Sequence, residues 1–172
     1  MRKIFFLTII LLATYTASLA QPRAVGGRLG YGFGASYQHG IKEKNMLQVD
    51  LDAIAYQIHF YTGNIYRVWG IQAVATYNWV FPFKSWKGAG SWNWYAGVGG
   101  GIGVVSEWWD YEINVGVAGM IGVEYNFKFP LQLSLDLRPV IGPCYLVYDR
   151  AFFISGLGIL LNSATIGIRY KF

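Results

Sequence analysis

The sequence is poor in the residues that build disulfide frameworks and metal centres. Cys144 is the only cysteine in 172 residues, so an intramolecular disulfide and a multi-cysteine zinc or iron–sulfur site are both excluded. The two histidines, His39 and His59, are too few for a histidine-rich metal centre. We therefore expect neither a metal nor any other cofactor.

Charged residues are also scarce, at 13% of the chain, against about 25% in an average soluble domain. Hydrophobic residues make up 54% and aromatic residues 18%, and 22 glycines accompany them. This composition disfavours a disordered chain and favours strands and tight turns over a helical bundle. The net charge of +5 falls to +3 without Arg2 and Lys3, so we expect no nucleic-acid partner.

The first twenty residues have the pattern of a secretory signal peptide. Arg2 and Lys3 form a positive start, residues 4–12 are an apolar core, and Ser18, Leu19 and Ala20 suit a cleavage site. The apolar core is too short for a membrane-spanning helix, which needs about 20 residues. We therefore predict a cleavable signal peptide at residues 1–20, export through the inner membrane, and one domain at residues 21–172.

Apolar residues alternate with polar or glycine residues along six segments of that domain. At the C-terminus, one set is Ala164, Ile166, Ile168, Tyr170 and Phe172, and the other is Thr165, Gly167, Arg169 and Lys171. Similar alternation covers residues 47–53, 69–80, 94–104, 113–126 and 131–138. A side-chain period of two places the two sets on opposite faces of a strand. The uncharged stretch 151–168 runs into this alternation and is rich in Gly, Ser and Asn, which argues against a membrane helix.

The polar face of these strands consists mostly of Gly, Ser, Asn and Gln, with a few charges of both signs. The water-exposed face of a soluble barrel is instead rich in Lys, Glu and Thr. A closed barrel in lipid has apolar residues outside and polar residues inside. We therefore predict that the apolar face contacts hydrocarbon. A soluble, lipocalin-like carrier, with the faces reversed, is the alternative.

Seven strands are evident, and because a single-chain membrane barrel of this kind has an even number of strands, we divide the glycine-rich N-terminal block into two. We therefore predict an all-β fold, an eight-stranded antiparallel transmembrane β-barrel with an up-and-down meander. The strands are predicted at residues 23–29, 33–39, 46–58, 66–80, 92–105, 113–127, 131–146 and 162–172, with a glycine turn at 30–32. Turns on the side of the chain termini are expected near 40–45, 83–91 and 128–130, and loops at the other side near 59–64, 107–112 and 148–155.

Aromatic residues fall into two bands in this arrangement, as expected where barrel strands cross the two membrane interfaces. The band near the termini contains Trp79, Phe81, Trp92, Trp94, Tyr125, Phe127, Tyr170 and Phe172. The opposite band contains Tyr56, Tyr61, Tyr66, Trp108, Trp109, Tyr111, Tyr145 and Tyr148. The general preference of aromatic residues for strands would also place many of them here.

The final segment, IGIRYKF at 166–172, resembles the last strand of outer-membrane barrels, in which a terminal aromatic residue follows apolar residues at alternate positions. Upstream, RLGYG (28–32), ASYQH (35–39), WYAGVG (94–99), IGVEYNF (121–127) and PLQLSLD (130–136) resemble the small OmpX-like and OmpA-like barrels. The external loops are shorter than those of adhesins of this group, so adhesion is not predicted.

This resemblance implies a location in the outer membrane of a Gram-negative-type envelope, with both termini on the periplasmic side. It also implies contact with outer-membrane lipid and lipopolysaccharide, and a monomer. The barrel assembly machinery would recognise the C-terminal strand through Ile166, Ile168, Tyr170 and Phe172.

The alternation directs four acids and four bases into the barrel: Arg28, Asp50, Asp52, Glu124, Asp136, Arg138, Arg169 and Lys171. The interior of an eight-stranded barrel is just wide enough for side chains to fill it. An unpartnered buried charge costs several kcal/mol, so we predict that these residues pair as a polar plug. The alternative is a gate whose salt bridges exchange to pass small ions.

Three functions remain open at this point. The first is a structural or surface-interaction role without catalysis, and the second is a minor channel or carrier for small ions or small apolar solutes, as in OmpW-like barrels. The third is a barrel-type lipid-modifying enzyme. Neither His39 nor His59 has a serine in a recognisable catalytic context, and no Gly-x-Ser-x-Gly motif occurs. Cys144 has no activating neighbour in the sequence, and we predict a protein that is not an enzyme.

Overall fold

The computed structural model describes residues 23–30, 32–42, 44–58, 65–83, 90–107, 110–148, 151–160 and 164–172. The predicted signal peptide, His59 with its loop, and most of the predicted turn at 83–91 lie outside the described residues. No helix among the described residues has the length and hydropathy needed to cross a membrane.

The described backbone forms ten β-strands. In chain order these are β1 (Arg23–Leu29), β2 (Gly32–Lys42), β3 (Asn45–Ile58), β4 (Ile65–Pro82), β5 (Gly90–Glu107), β6 (Asp110–Phe127), β7 (Leu131–Leu137), β8 (Val140–Tyr148), β9 (Ala151–Leu160) and β10 (Ala164–Lys171).

These strands close into an eight-stranded antiparallel barrel, as predicted. Strands β1 to β6 pair in sequence order. The seventh position in the ring is shared by β7 and β8, which pair with successive parts of β6. The eighth is shared by β9 and β10, which pair with β8 and β7. Pairing of β1 with β10 closes the ring.

Pro139 separates β7 from β8, so the strand predicted at 131–146 is formed as two segments. Proline has no N–H to donate to a strand ladder. Its carbonyl oxygen nevertheless accepts a hydrogen bond from the Gly119 amide nitrogen at 3.0 Å. The backbone therefore stays bound to β6 across the interruption.

Two predicted loops are much shorter in the structure. β5 ends at Glu107 and β6 begins at Asp110, while β8 ends at Tyr148 and β9 begins at Ala151. The loops predicted at 107–112 and 148–155 are therefore two-residue connections. Strand β9 was missed because its sequence, AFFISGLGIL, is apolar or glycine at almost every position, which hides the period of two.

Apolar side chains cover the outside of the barrel, and polar side chains occupy much of the inside. Val117 is 66% exposed on the outer face, whereas Arg169 is 0% exposed in the lumen. Other large apolar side chains on the outer face are Val25, Leu29, Phe33, Val49, Leu51, Ile71, Val98, Ile102, Ile121, Leu135, Ile141, Ile166 and Ile168. This is the reverse of a soluble barrel, which buries its apolar face.

Both ends of the barrel domain lie at one end of the ring, called the terminal end below. There the Arg23 amide donates to the Phe172 carbonyl at 3.3 Å, and the Phe172 amide donates to the Arg23 carbonyl at 2.9 Å. Strands β1 and β10, which close the ring, have 7 and 8 residues, whereas β5 and β6 have 18 each. The opposite end is called the far end.

Glycine is required where β5 passes closest to β4. Gly99 lies opposite Thr76 in the ladder, and a Cβ atom there would overlap the carbonyl oxygen of Ala75. Its neighbour Gly100 lies on the outer face, where a Cβ atom would meet its nearest neighbour, the Gly116 carbonyl oxygen, at an ordinary 3.7 Å. The two adjacent glycines therefore differ in their tolerance of a side chain.

Gly99→Ala is expected to lower the free energy of unfolding by about 1–3 kcal/mol, because backbone atoms cannot rotate away from the added methyl group. Gly100→Ala is the matched control, with an expected change within about 0.5 kcal/mol. Denaturant unfolding followed by tryptophan fluorescence measures both values. Equal stability of the two variants would contradict the close approach of β4 and β5.

Candidate functional site

Six of the eight predicted lumen charges form one buried cluster at the centre of the barrel. This central ion network consists of Arg28 (β1), Asp50 and Asp52 (β3), Asp136 (β7), Arg138 (between β7 and β8) and Arg169 (β10). It contains three arginines and three aspartates. The network is therefore balanced in formal charge.

Asp50 is shared by two arginines. Its Oδ2 atom is paired with Arg138 Nη1 at 2.5 Å and also with Arg28 Nη1. Arg138 reaches a second carboxylate, Asp52, through Nη2. The side chains of Arg28, Arg138 and Asp50 are almost completely buried, and that of Asp52 is 14% exposed. Because charge-assisted hydrogen bonds are the stronger ones, Asp50 is the main link between β1, β3 and the segment that joins β7 to β8.

Asp136 links the remaining two arginines. Its Oδ2 atom lies 3.5 Å from Arg169 Nη2 and 3.9 Å from Arg28 Nη2. Arg169 is also held by two hydroxyl groups, since its Nε atom donates to Ser36 Oγ at 2.9 Å and Nη1 donates to Ser134 Oγ at 2.7 Å. The network therefore spans the seam between β1 and β10.

The interior also contains buried apolar side chains beside the polar ones, which the alternation did not predict. Three groups of buried side chains line it: Val74, Ala118 and Val140; Met46, Tyr95 and Met120; Ile54 and Val105. These side chains face the lumen, as do alternate glycines of β5. Val74 and Val140 occupy the space beside Gly101, where a Cβ atom would lie 3.0 and 3.3 Å from them.

The centre of the barrel is filled. A cavity of about 20 Å³ beside Arg28, Asp52, Gln72 and Thr165 holds about one water molecule. At Gly122, an added Cβ atom would lie 2.6 Å from the Tyr95 ring and 2.7 Å from Asp136 Oδ1, so the absence of a side chain there leaves the space to these two groups. Side chains thus close the lumen at this level.

The two remaining predicted charges lie apart from this network, near the terminal end. Glu124 is bound by three amides: Asn93 and Asn126 donate to Oε1 at 2.8 and 2.9 Å, and Gln132 donates to Oε2 at 2.8 Å. Lys171 donates to the Phe127 carbonyl oxygen at 3.1 Å. Both residues line a cavity of about 360 Å³. Alternation predicted the direction of these side chains but not their depth.

The residues of the predicted assembly signal all point outward. Ile166, Ile168, Tyr170 and Phe172 lie on or just after β10 and are each more than half exposed. The alternating partner Arg169 points inward into the central ion network.

A cluster of exposed and half-buried aromatic residues lies at the terminal end. Phe81 stacks on Trp94 with ring centroids 4.3 Å apart, and Trp92 contacts Tyr125 at 4.8 Å. Phe127 contacts Tyr125 at 4.6 Å and Phe129 at 4.8 Å. Of the aromatic band predicted at the far end, only Tyr111 and Tyr145 have described side chains.

The described residues offer no metal centre, since they contain no group of three or more His, Cys, Asp or Glu side chains arranged to hold an ion. His39 lies in β2 with its ring 6.4 Å from that of Tyr37. Cys144 lies in β8, but its side chain is outside the described set.

Several polar residues that were not singled out from the sequence also line the lumen. Ser36 and Ser134 support Arg169, Thr165 accepts a hydrogen bond from Arg28, and Gln48 donates to both oxygens of Asp50 at 3.1 and 2.9 Å. Each occupies an inward-facing position of its own strand. The alternation could therefore have indicated these residues, but the strand register that brings them together could not be read from the sequence.

Comparison of the chain with protein-family models, curated proteins and solved structures gave no match.

Asp50→Asn is expected to lower the free energy of unfolding by about 3–5 kcal/mol, because Arg28 and Arg138 would lose the buried carboxylate they share. Asp52→Asn makes the same chemical change on the same strand but leaves Arg138 paired with Asp50, so a loss of about 1 kcal/mol is expected. Denaturant titration measures both. A larger loss for Asp52→Asn would refute the central place of Asp50.

Proposed function

We propose that this chain is an integral outer-membrane β-barrel protein with a side-chain-filled lumen and a structural or surface-interaction role without catalysis. The inverted barrel carries this proposal, since apolar side chains face outward and charges are buried inside. In hydrocarbon, unsatisfied backbone groups are costly, and a closed ring of paired strands leaves none at an open edge.

The outer face supports contact with lipid more than with water. Monomeric soluble proteins rarely expose large continuous apolar surfaces, whereas here exposed apolar side chains such as Val117, Ile121 and Ile168 recur around the ring. The aromatic cluster at the terminal end suits a membrane interface, where Trp and Tyr rings combine an apolar body with a polar group.

The sequence supports the proposed export, outer-membrane location and assembly of the protein. The pattern of residues 1–20 supports export, and the resemblance to small OmpX-like and OmpA-like barrels supports an outer-membrane address with the terminal end in the periplasm. In this proposal the outward residues Ile166, Ile168, Tyr170 and Phe172 engage the barrel assembly machinery. The folded protein then resides as a monomer among outer-membrane lipid and lipopolysaccharide.

The experiment that tests the fold in its proposed setting is gel migration in detergent before and after heating, combined with far-UV circular dichroism. A folded barrel migrates differently from its heated form and has a β-type spectrum. Identical migration together with a helical spectrum would contradict the proposal.

Val117→Lys tests whether the outer face contacts hydrocarbon. Val117 is near the middle of β6, so a lysine there is expected to cost about 2–4 kcal/mol in a lipid bilayer. Phe129→Lys is the control, because Phe129 is 57% exposed in the bend after β6, where a lysine costs about 0–1 kcal/mol near an interface. Unfolding in lipid vesicles measures both, and a soluble barrel would tolerate the two lysines equally.

The central ion network predicts that the lumen does not conduct. Charges there are paired with one another inside the lumen, and the cavity beside Arg28 and Asp52 holds about one water molecule. We expect purified protein in planar bilayers to give no discrete current steps above the leak. Regular openings would instead favour the second function, a minor channel for small ions.

A further inference from the structure

The cavity at the terminal end is not part of the central ion network. Its volume of about 360 Å³ lies in the range of about 300–1,000 Å³ found for small-molecule sites. Among its lining residues are Arg23, Asn93, Glu124, Asn126, Gln132 and Lys171. It therefore combines a usable volume with several polar and charged groups.

Glu124 is the negative group of this cavity. It is only 5% exposed, and its carboxylate is held by the amides of Asn93, Asn126 and Gln132. The aspartates of the central ion network each have an arginine partner, but no ion pair to Glu124 occurs within the described part of the chain. Its charge is thus stabilised by neutral donors and remains available to a cationic group.

Gln132 adds an acceptor beside this carboxylate. Its Nε2 atom must face Glu124 Oε2 at 2.8 Å, which fixes the orientation of the amide and turns Oε1 away. Gln132 is 4% exposed, and its Oε1 atom has no hydrogen-bond partner within the described residues. Buried acceptors are normally satisfied, so this unpaired oxygen adds a partial negative charge beside the cavity.

A positive group lines the same cavity. Lys171 Nζ donates to the Phe127 carbonyl oxygen, which uses one of its three donors, and Arg23 contributes a second positive charge to the lining. A simple cation would be repelled by Lys171 and Arg23, and a simple anion by Glu124. A molecule with both charges matches the two sides of the cavity.

Side chains separate the cavity from the rest of the lumen. Gln38 and Met46 line it. On the central side, Gln38 donates to Gln48 Oε1 at 2.8 Å, and Met46 packs in a buried cluster with Tyr95 and Met120. The cavity is therefore a blind pocket, which suits binding more than passage.

We propose that this pocket binds a small zwitterion of the amino-acid type. Glu124 holds the ammonium group of the ligand, and Lys171 holds its carboxylate. The proposal goes beyond a structural role in the membrane and does not depend on it, because binding is measured on the folded protein in detergent micelles.

Isothermal titration calorimetry with glycine, β-alanine and γ-aminobutyrate tests the proposal, with n-butylamine and butyrate as probes that carry only one of the two charges. Saturable binding of at least one amino acid is expected. Its affinity should exceed that of either single-charge probe by about tenfold or more, because one additional charged hydrogen bond raises affinity by about that factor.

Two variants separate the two sides of the pocket. Glu124→Gln should weaken amino-acid binding by about tenfold or more. Lys171→Met should weaken amino-acid binding to a similar extent. It should not weaken the binding of n-butylamine, which has no carboxylate. Glu112→Gln, at the far end of the same strand, and Lys128→Met, exposed in the bend at 128–130, are the matched controls with unchanged affinity.

Heat-modifiable migration and circular dichroism establish that each variant is folded. If no amino acid binds, or if n-butylamine binds as tightly as the best amino acid, the proposal is overturned. Unchanged amino-acid affinity in Lys171→Met also overturns it. If Glu124→Gln does not fold, the affinities of Lys171→Met for the amino acid and for n-butylamine are sufficient to test the proposal.

Discussion

An arginine inside a narrow ring of strands must find its counter-charge within that ring, and this constraint organises the whole interior. Arg28, Arg138 and Arg169 are balanced by three aspartates, and two of these carboxylates, Asp50 and Asp136, each serve two arginines. A slip of one residue in any participating strand would turn its charge to the apolar outer face. The ion pairs therefore specify register as well as filling space.

The inner and outer faces depend on each other through the same side-chain period. Every residue that brings a charge or amide into the lumen is flanked by residues on the outside, and those are mostly apolar. The glycine-rich part of β5 gives this arrangement room, since Val74 and Val140 occupy the space beside Gly101, and Gly122 on β6 leaves room for the Tyr95 ring. Ion pairs, amides and small apolar clusters are thus packed together within one barrel.

The sequence predicts well whether a side chain faces into or out of the barrel, but it predicts poorly which residues that side chain meets. Alternation marked six segments and the inward orientation of residues such as Asp136 and Arg169, while the even strand number of membrane barrels supplied the count of eight. It failed for β9, where both faces are apolar or glycine. It also could not pair Arg138 with Asp50, which are 88 residues apart, or separate Glu124 from the central ion network. Those relations depend on strand stagger around the ring, which no local pattern encodes.

The short seam between β1 and β10 ties the first strand of the chain to the last. Arg28 stands on one side of it and Arg169 on the other, and both guanidinium groups approach the same oxygen of Asp136. Arg169 already pairs with Asp136 on the neighbouring strand β7, and Arg28 already pairs with Asp50 on β3. Joining the two edges of the sheet therefore adds Arg28 as a second partner of Asp136 and merges two separate sets of ion pairs into one, which gives the chain an electrostatic reason to close the ring.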